Sequence, residues 1–268
     1  EPAVVGRMTR AVVDALGGIG RLVRPGSSVL IKPNMAWASP PEIAANTNPW
    51  VVAALVEMCL EAGARRVRVL DHTIGQNPEP CYRASGIGQA AARAGAQVAY
   101  VDPARFRTIG IPGGFALKGW PFYEEFISAD ECDVLINVPI LKDHGTSRLS
   151  MGLKNVLGMV GGERGQLHPD IHRKIPDLHR VIRVDLTVLD AYRVLRRHGP
   201  TGGRLADVDN TVEGARRIVA GSDPVAVDAY GASMFGYEPA DVGFLGYAQE
   251  AGLGQVDWRA LLVHEGRA

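Results

Sequence analysis

Residues 133–140, DVLINVPI, decide the fold. This apolar run is too short for a buried helix, and its β-branched side chains suit a strand covered on both faces. Such strands belong to parallel sheets, which need crossover connections. The chain supplies them. Toward the N-terminus, RRVRVLD (65–71) and SSVLIK (27–32) read as strands. Between them lies a helix over 49–62, started by Pro49 and stopped at Gly63. A helix over 7–20 ending at GGIG comes first. A short helix is expected after Cys81, through SGIGQAAARAG, then a strand over 96–101. The stretch VDPARFRTIGIPGGFALKGWPFY reads as a small hairpin excursion, followed by a helix over 122–130.

Toward the C-terminus, residues 141–176 are rich in glycine and histidine and weakly periodic, which predicts a long structured loop of the functional kind. A helix over 177–184, the strand LTVLDAY and a strand within TVEGARRIVAGSDP follow. The helices VAVDAYGASMFG and GFLGYAQEAG and a last strand, RALLVHEG, complete the pattern. The expected fold is α/β, a mostly parallel sheet with flanking helices and an embedded small excursion. No internal repeat or linker divides it, so residues 1–268 are read as a single domain.

Composition narrows the function. Twenty-nine Lys and Arg balance 29 Asp and Glu, and aromatics make up 6%, so nothing points to nucleic acid as a partner. No window reaches the ~18 apolar residues of a membrane-spanning helix. The opening EPAVVGRM lacks the features of a signal peptide, yet Glu1 is no initiator methionine. The expected location is cytoplasmic, or exported after removal of an N-terminal signal. Cys59, Cys81 and Cys132 are too few and scattered for a disulfide framework. Cys59 and Cys132 read as small buried hydrophobes, whereas Cys81 reads as part of a polar loop.

Candidate chemistry gathers where strands end, because ligands of parallel sheets bind outside the carboxyl ends of the strands. Lys32 and Asn34 follow the first strand and are expected to hold an anionic cofactor or substrate group. Thr47 or Asn48 caps the helix at Pro49. Asp71, His72 and Thr73 follow the second strand, and His72 with Cys81 offers mixed nitrogen and sulfur ligands to a metal. The third strand end is richest. Lys142, Asp143, His144, Lys154, Asn155, His168 and His172 fall within one span, with Gly152, Gly158, Gly161, Gly162 and Gly165 allowing close backbone approach. Lys142, His144 and His172 are the catalytic candidates, Lys154 and Asn155 join Lys32 and Asn34 as cofactor-binding candidates, and His144 and His168 join His72 and Cys81 as metal ligands. His168 and His172 are spaced i, i+4, but Pro169 and the missing H-E-x-x-H glutamate exclude a zincin motif. Asp223 is an apt N-cap ahead of Pro224, while Asp190 and Asp228 are candidates for orienting a histidine or lysine.

VLIKPN, NTNP, DHT with CYRASGI, DVLINVPILKDH, MGLKNVLG, VLDAYRVL with GPTGG, and SDPVAVDAYG together closely resemble the domain-of-unknown-function 362 family, from about Val4 to Val263. That resemblance implies iron–sulfur or other cluster binding, and in many members an added ferredoxin segment or a twin-arginine export signal. Neither addition is visible in this chain, and its cysteines do not form a C-x₂-C-x₂-C motif. The segment from His144 to His168 also distantly resembles the nickel-pincer lactate racemase pattern. It implies His144 and His168 at a metal and a cofactor attached at Lys154, although MGLKN stands where a glycine pair is expected before the lysine.

The leading expectation is a metal- or cofactor-dependent enzyme acting on a small anionic substrate by redox chemistry or by proton or hydride transfer. Its cofactor would be iron, nickel, zinc, an iron–sulfur cluster or a phosphate-bearing group. The alternatives are a non-catalytic carrier of a metal or iron–sulfur cofactor, and a partner-binding scaffold.

Overall fold

In the computed structural model, which describes residues 1–266, helix α1 (Pro2–Ala15) opens the chain. It starts earlier than the expected helix over 7–20 because proline fits the first turn, and it ends before Gly17, whose φ is +95°. Strand β1 (Ser28–Pro33) follows, then α2 (Pro49–Glu61), capped by the Asn48 side chain, which accepts from Trp50 N. Strand β2 (Arg66–Val69) leads to α3 (Glu79–Ala84) and α4 (Ile87–Arg93). Cys81 therefore lies in a helix and is buried, correcting the polar loop expected there: its neighbour Tyr82 anchors α3 by donating to the Ala99 carbonyl.

Strand β3 is only Gln97–Val98. Strands β4 (Phe106–Gly110) and β5 (Gly119–Tyr123) form the expected hairpin as a separate two-stranded sheet. The helix expected over 122–130 is not there. Phe122 and Tyr123 pair with Arg107 and Phe106 across the hairpin and bury their rings, so the strand continues to Tyr123 and only one 3₁₀ turn, Glu124–Phe126, follows.

DVLINVPI becomes two strands, β6 (Val134–Val138) and β7 (Ile140–His144), parted by Pro139. Both lie along the same side of the long strand β9 (Leu186–Leu195), in parallel. Residues 141–176 are not one loop. They hold the end of β7, the antiparallel strand β8 (Arg148–Ser150), the single turn α5 (Gly152–Asn155) and the start of α6 (Ile171–His179). Helix α6 thus begins six residues before the expected helix over 177–184. Strands β10 (Val208–Asp209) and β11 (Arg217–Gly221) run antiparallel on the far side of β9. Helices α7 (Pro224–Met234), capped by Asp223, and α8 (Gly243–Glu250) end the regular structure. The last strand expected at RALLVHEG is a 3₁₀ turn, Trp258–Ala260, followed by irregular chain, because no strand edge pairs with it.

The sheet order is β3-β2-β1-β6-β9-β7-β8, with β10 and β11 on β9. Alternation divides its residues between two layers. Val29, Ile31, Val134 and Ile136 pack toward α1, α2 and α4. Leu30 and Leu135 pack toward the hairpin and the segment after β8, while Leu189 and Ala191 pack toward α6, α7 and α8. Among the described residues, no helix is long and apolar enough to cross a membrane.

Asp177 in α6 fastens the hairpin to this second layer. Its carboxylate accepts from Phe115 N, Ala116 N and Leu117 N at 2.7–2.8 Å. Asp177→Ala leaves these N–H groups without a partner, an expected loss of about 2 kcal/mol. A urea-unfolding midpoint unchanged from wild type would show that water replaces the carboxylate at no cost.

Candidate functional site

Parallel pairing of β1 with β2 and β6 brings their carboxyl ends to one edge. Lys32 has the parity of Leu30 and Asn137 that of Leu135, so both side chains meet the layer that carries α5. There Asn155 ties the elements together. Its Oδ1 accepts from Lys32 Nζ at 2.7 Å and Asn34 Nδ2 at 3.1 Å, and its Nδ2 donates to Asn137 Oδ1 at 2.8 Å. Asn137 in turn donates to the Gly152 carbonyl at 2.9 Å. Lys142 reaches the same group, donating to the Ala45 carbonyl at 2.5 Å and Asn34 Oδ1 at 3.1 Å.

Asp71 provides the counter-charge. Its Oδ1 stands 2.9 Å from Lys32 Nζ, and its Oδ2 accepts from Met35 N. Among the described residues, Lys32 is the one partner of this buried Oδ1. Gly158 is the only residue type that fits beside the pair, since a Cβ there would lie 2.1 Å from Asp71 Oδ1 and 2.6 Å from Lys32 Nζ. Arg164 closes the edge by donating to the carbonyls of His72 and Thr73.

The three lysines differ in what they touch. Lys32 and Lys142 are each 1% exposed and hydrogen-bonded, whereas Lys154 is half-buried and its amine has no hydrogen bond or ion pair among the described residues. Burial lowers all three. Asp71 partly offsets this for Lys32, Lys142 is driven well below the usual lysine value by burial and the Lys154 charge, and Lys154 is lowered to about 8 by burial and the Lys32 charge.

His144 closes the group. Burial, with the charges of Lys154 and Lys142, lowers it to about 3, so the ring is neutral. Its Nδ1 accepts from Thr146 N at 3.2 Å and Ser147 N at 3.4 Å. The ring proton is therefore on Nε2, making His144 a donor there. His168 stacks beside it with ring centroids 6.1 Å apart. Lys32, Asn34, Lys142, His144, Lys154, Asn155 and His168 are thus gathered into one neighbourhood.

The structure does not bring the four expected metal ligands together as a ligand set. His72 donates from Nδ1 to the Val160 carbonyl and packs on Phe106, while the Cys81 thiol donates to the Ala36 carbonyl and is raised by burial. His144 uses Nδ1 to accept from the Thr146 and Ser147 backbone N–H groups. Among the described residues, no group of three or more His, Cys, Asp or Glu side chains has metal-holding geometry. An iron–sulfur cluster also fits poorly. The three cysteines are free, in α2, in α3 and in the loop before β6, and burial raises Cys59 and Cys132 to about 12, whereas clusters need thiolates.

His172 sits away from the lysines, against Gly243 and stacked on Phe244 at 6.1 Å, with its Nδ1 buried and unpartnered. Asp190 and Asp228 orient backbone rather than a histidine or lysine. Asp190 accepts from Asn48 N and Tyr192 N, and Asp228 accepts from Gly152 N and Leu153 N, holding α5 from α7. Sequence reasoning missed Asn137 and Arg164, which look like ordinary strand and loop residues. A usable signal was present: the chain has five lysines, and three of them meet here. Two surface clefts lie elsewhere, one beside Trp50 and Arg93 and one between α1, β11 and Trp258.

Residues 29–233 match the family described as Domain of unknown function (DUF362). The chain belongs to the DUF362 family. The matched span of this DUF362 protein includes every residue of the lysine cluster. It is 26% identical over 255 residues to a thylakoid-associated protein of Synechocystis sp., covering 91% of this chain and 74% of that protein. It is also similar to a crystal structure of a Thermotoga maritima protein, at 15% identity and a TM-score of 0.46, over 75% of this chain. The match covers 53% of that solved chain, about half its length.

Proposed function

We propose that this DUF362 protein is an enzyme that binds a small anion, a carboxylate or phosphate group, at the Lys32–Lys142–Lys154 cluster and transfers a proton on it. One observation carries the reading: three amines share one buried neighbourhood in which, among the described residues, Asp71 is the only carboxylate acting on them. Excess positive charge in a poorly hydrated place attracts a small anion strongly. Lys32, paired with Asp71, supplies fixed charge, while Lys142, driven well below the usual lysine value, supplies a fixed N–H donor. Lys154 has the free amine, and His144 Nε2–H is a neutral donor that stabilises negative charge growing on a substrate oxygen. An amine lowered to about 8 exchanges protons readily near neutral pH.

Calorimetric titration with inorganic phosphate and with lactate tests the binding. Saturable binding of at least one is expected, weakened at least tenfold in Lys154→Met. If neither anion binds the wild type, the reading fails. Deuterium wash-in at the carbon beside the carboxylate, followed by NMR across small acids, tests the transfer. Exchange should require Lys154, and binding without exchange would reduce the protein to an anion carrier.

A further inference from the structure

We propose that Lys154 is a condensing amine, which forms an imine with the carbonyl carbon of a small 2-oxo acid while His144 donates to the carbonyl oxygen. The inference rests on the anion-binding reading and adds the substrate class.

The choice of residue type is the first argument. Twenty-four of the chain's 29 basic residues are arginine, which stays charged and cannot act as an amine nucleophile. Lysine is kept for five positions, and three of these, Lys32 and Lys142 buried and Lys154 partly buried, share one neighbourhood. If only positive charge were needed there, the arginine used at all but two of the other basic positions would serve.

Geometry then selects among the three. A condensing amine needs a free lone pair, room for a carbonyl carbon and a nearby donor. Lys32 is held by Asn155 and Asp71, and Lys142 by Ala45 and Asn34; both are shielded from solvent. Lys154 is only partly buried, makes no hydrogen bond or ion pair among the described residues, and lies close enough to His144 to depress its protonation. Its neighbours also provide what a 2-oxo acid requires: positive field for the carboxylate and a neutral N–H for the ketone oxygen. The lowered basicity of Lys154 fits the same role, because only the uncharged amine attacks.

The step balances without a further reactant. The Lys154 nitrogen pair forms a C–N bond as the carbonyl π pair moves to oxygen, which takes the His144 Nε2 proton. Loss of the nitrogen protons and departure of the hydroxyl as water give the C=N bond, and His144 recovers its proton. No oxidation state changes. The imine then draws electrons from the adjacent carbon, which is where an acid–base enzyme would move a proton.

Pyruvate plus sodium borohydride, read by intact mass and peptide mapping, tests this on the full chain. The expected product is one adduct, with the mass of pyruvate less water plus two hydrogens, on Lys154. It should fall at least tenfold in Lys154→Arg, a variant that keeps the charge. Exposed Lys118 is the internal control for non-specific labelling. Equal labelling of Lys118, or no adduct while phosphate or lactate still binds, overturns the imine and leaves the anion-binding reading intact. No adduct and no binding of either anion removes both.

Discussion

Asp71→Ala destabilises the protein by about 3–5 kcal/mol, because removing one partner of a buried ion pair leaves the other charge uncompensated. Lys32 and Asp71 are each 1% exposed, and the Asp71 carboxylate also receives Met35 N. Relaxation is restricted: Gly158 is packed so closely that even a methyl group there would meet both members of the pair. The denaturant midpoint should fall sharply in Asp71→Ala. In Lys32→Met/Asp71→Leu it should recover in part, since no lone charge remains. A single variant within about 1 kcal/mol of wild type would show that Lys32 releases its proton when unpaired, as a buried lysine can.

Raising the pH through about 8 weakens phosphate binding, with a loss approaching tenfold per pH unit once Lys154 gives up its charge. The same titration moves stability the other way. Between about 8, the folded value, and ~10.4, the unfolded value, the unfolded chain binds more protons at this position, so stability rises with pH. Below about 8 the amine is charged in both states and its contribution to the slope disappears. Calorimetric affinity and thermal midpoints measured from pH 6.5 to 10, each as wild type minus Lys154→Met, should therefore diverge. Lys154→Arg should keep its charge and bind phosphate without the loss near pH 8. Affinity independent of pH across that range in wild type would assign the anion to other cations.

The fold was legible where local pattern and final environment agree. The runs SSVLIK, RRVRVLD, DVLINVPI and LTVLDAY became β1, β2, β6 with β7, and β9, since an apolar β-branched run has few stable settings other than a sheet covered on both sides. It was illegible where a partner decides. Phe122 and Tyr123 look equally suited to a helix, and only Arg107 and Phe106 across the hairpin make them a strand. RALLVHEG has strand-like composition but pairs with no strand.

The candidate site divides in the same way. Placing Lys32, Asn34, Lys142, His144, Lys154 and Asn155 near strand ends follows from the sequence, because a parallel sheet puts those ends at one edge. Their division of labour does not. Lys32 and Lys142 are locked, Lys154 is free, His144 has its proton on Nε2, and Cys81 and His72 turn to backbone carbonyls, all through contacts between residues up to 123 positions apart. Sequence determined which residue types arrive at the edge, since strand polarity and two-residue alternation are local properties. Tertiary structure decided which amine remains unpaired, since hydrogen bonding and desolvation depend on neighbours that only folding brings together.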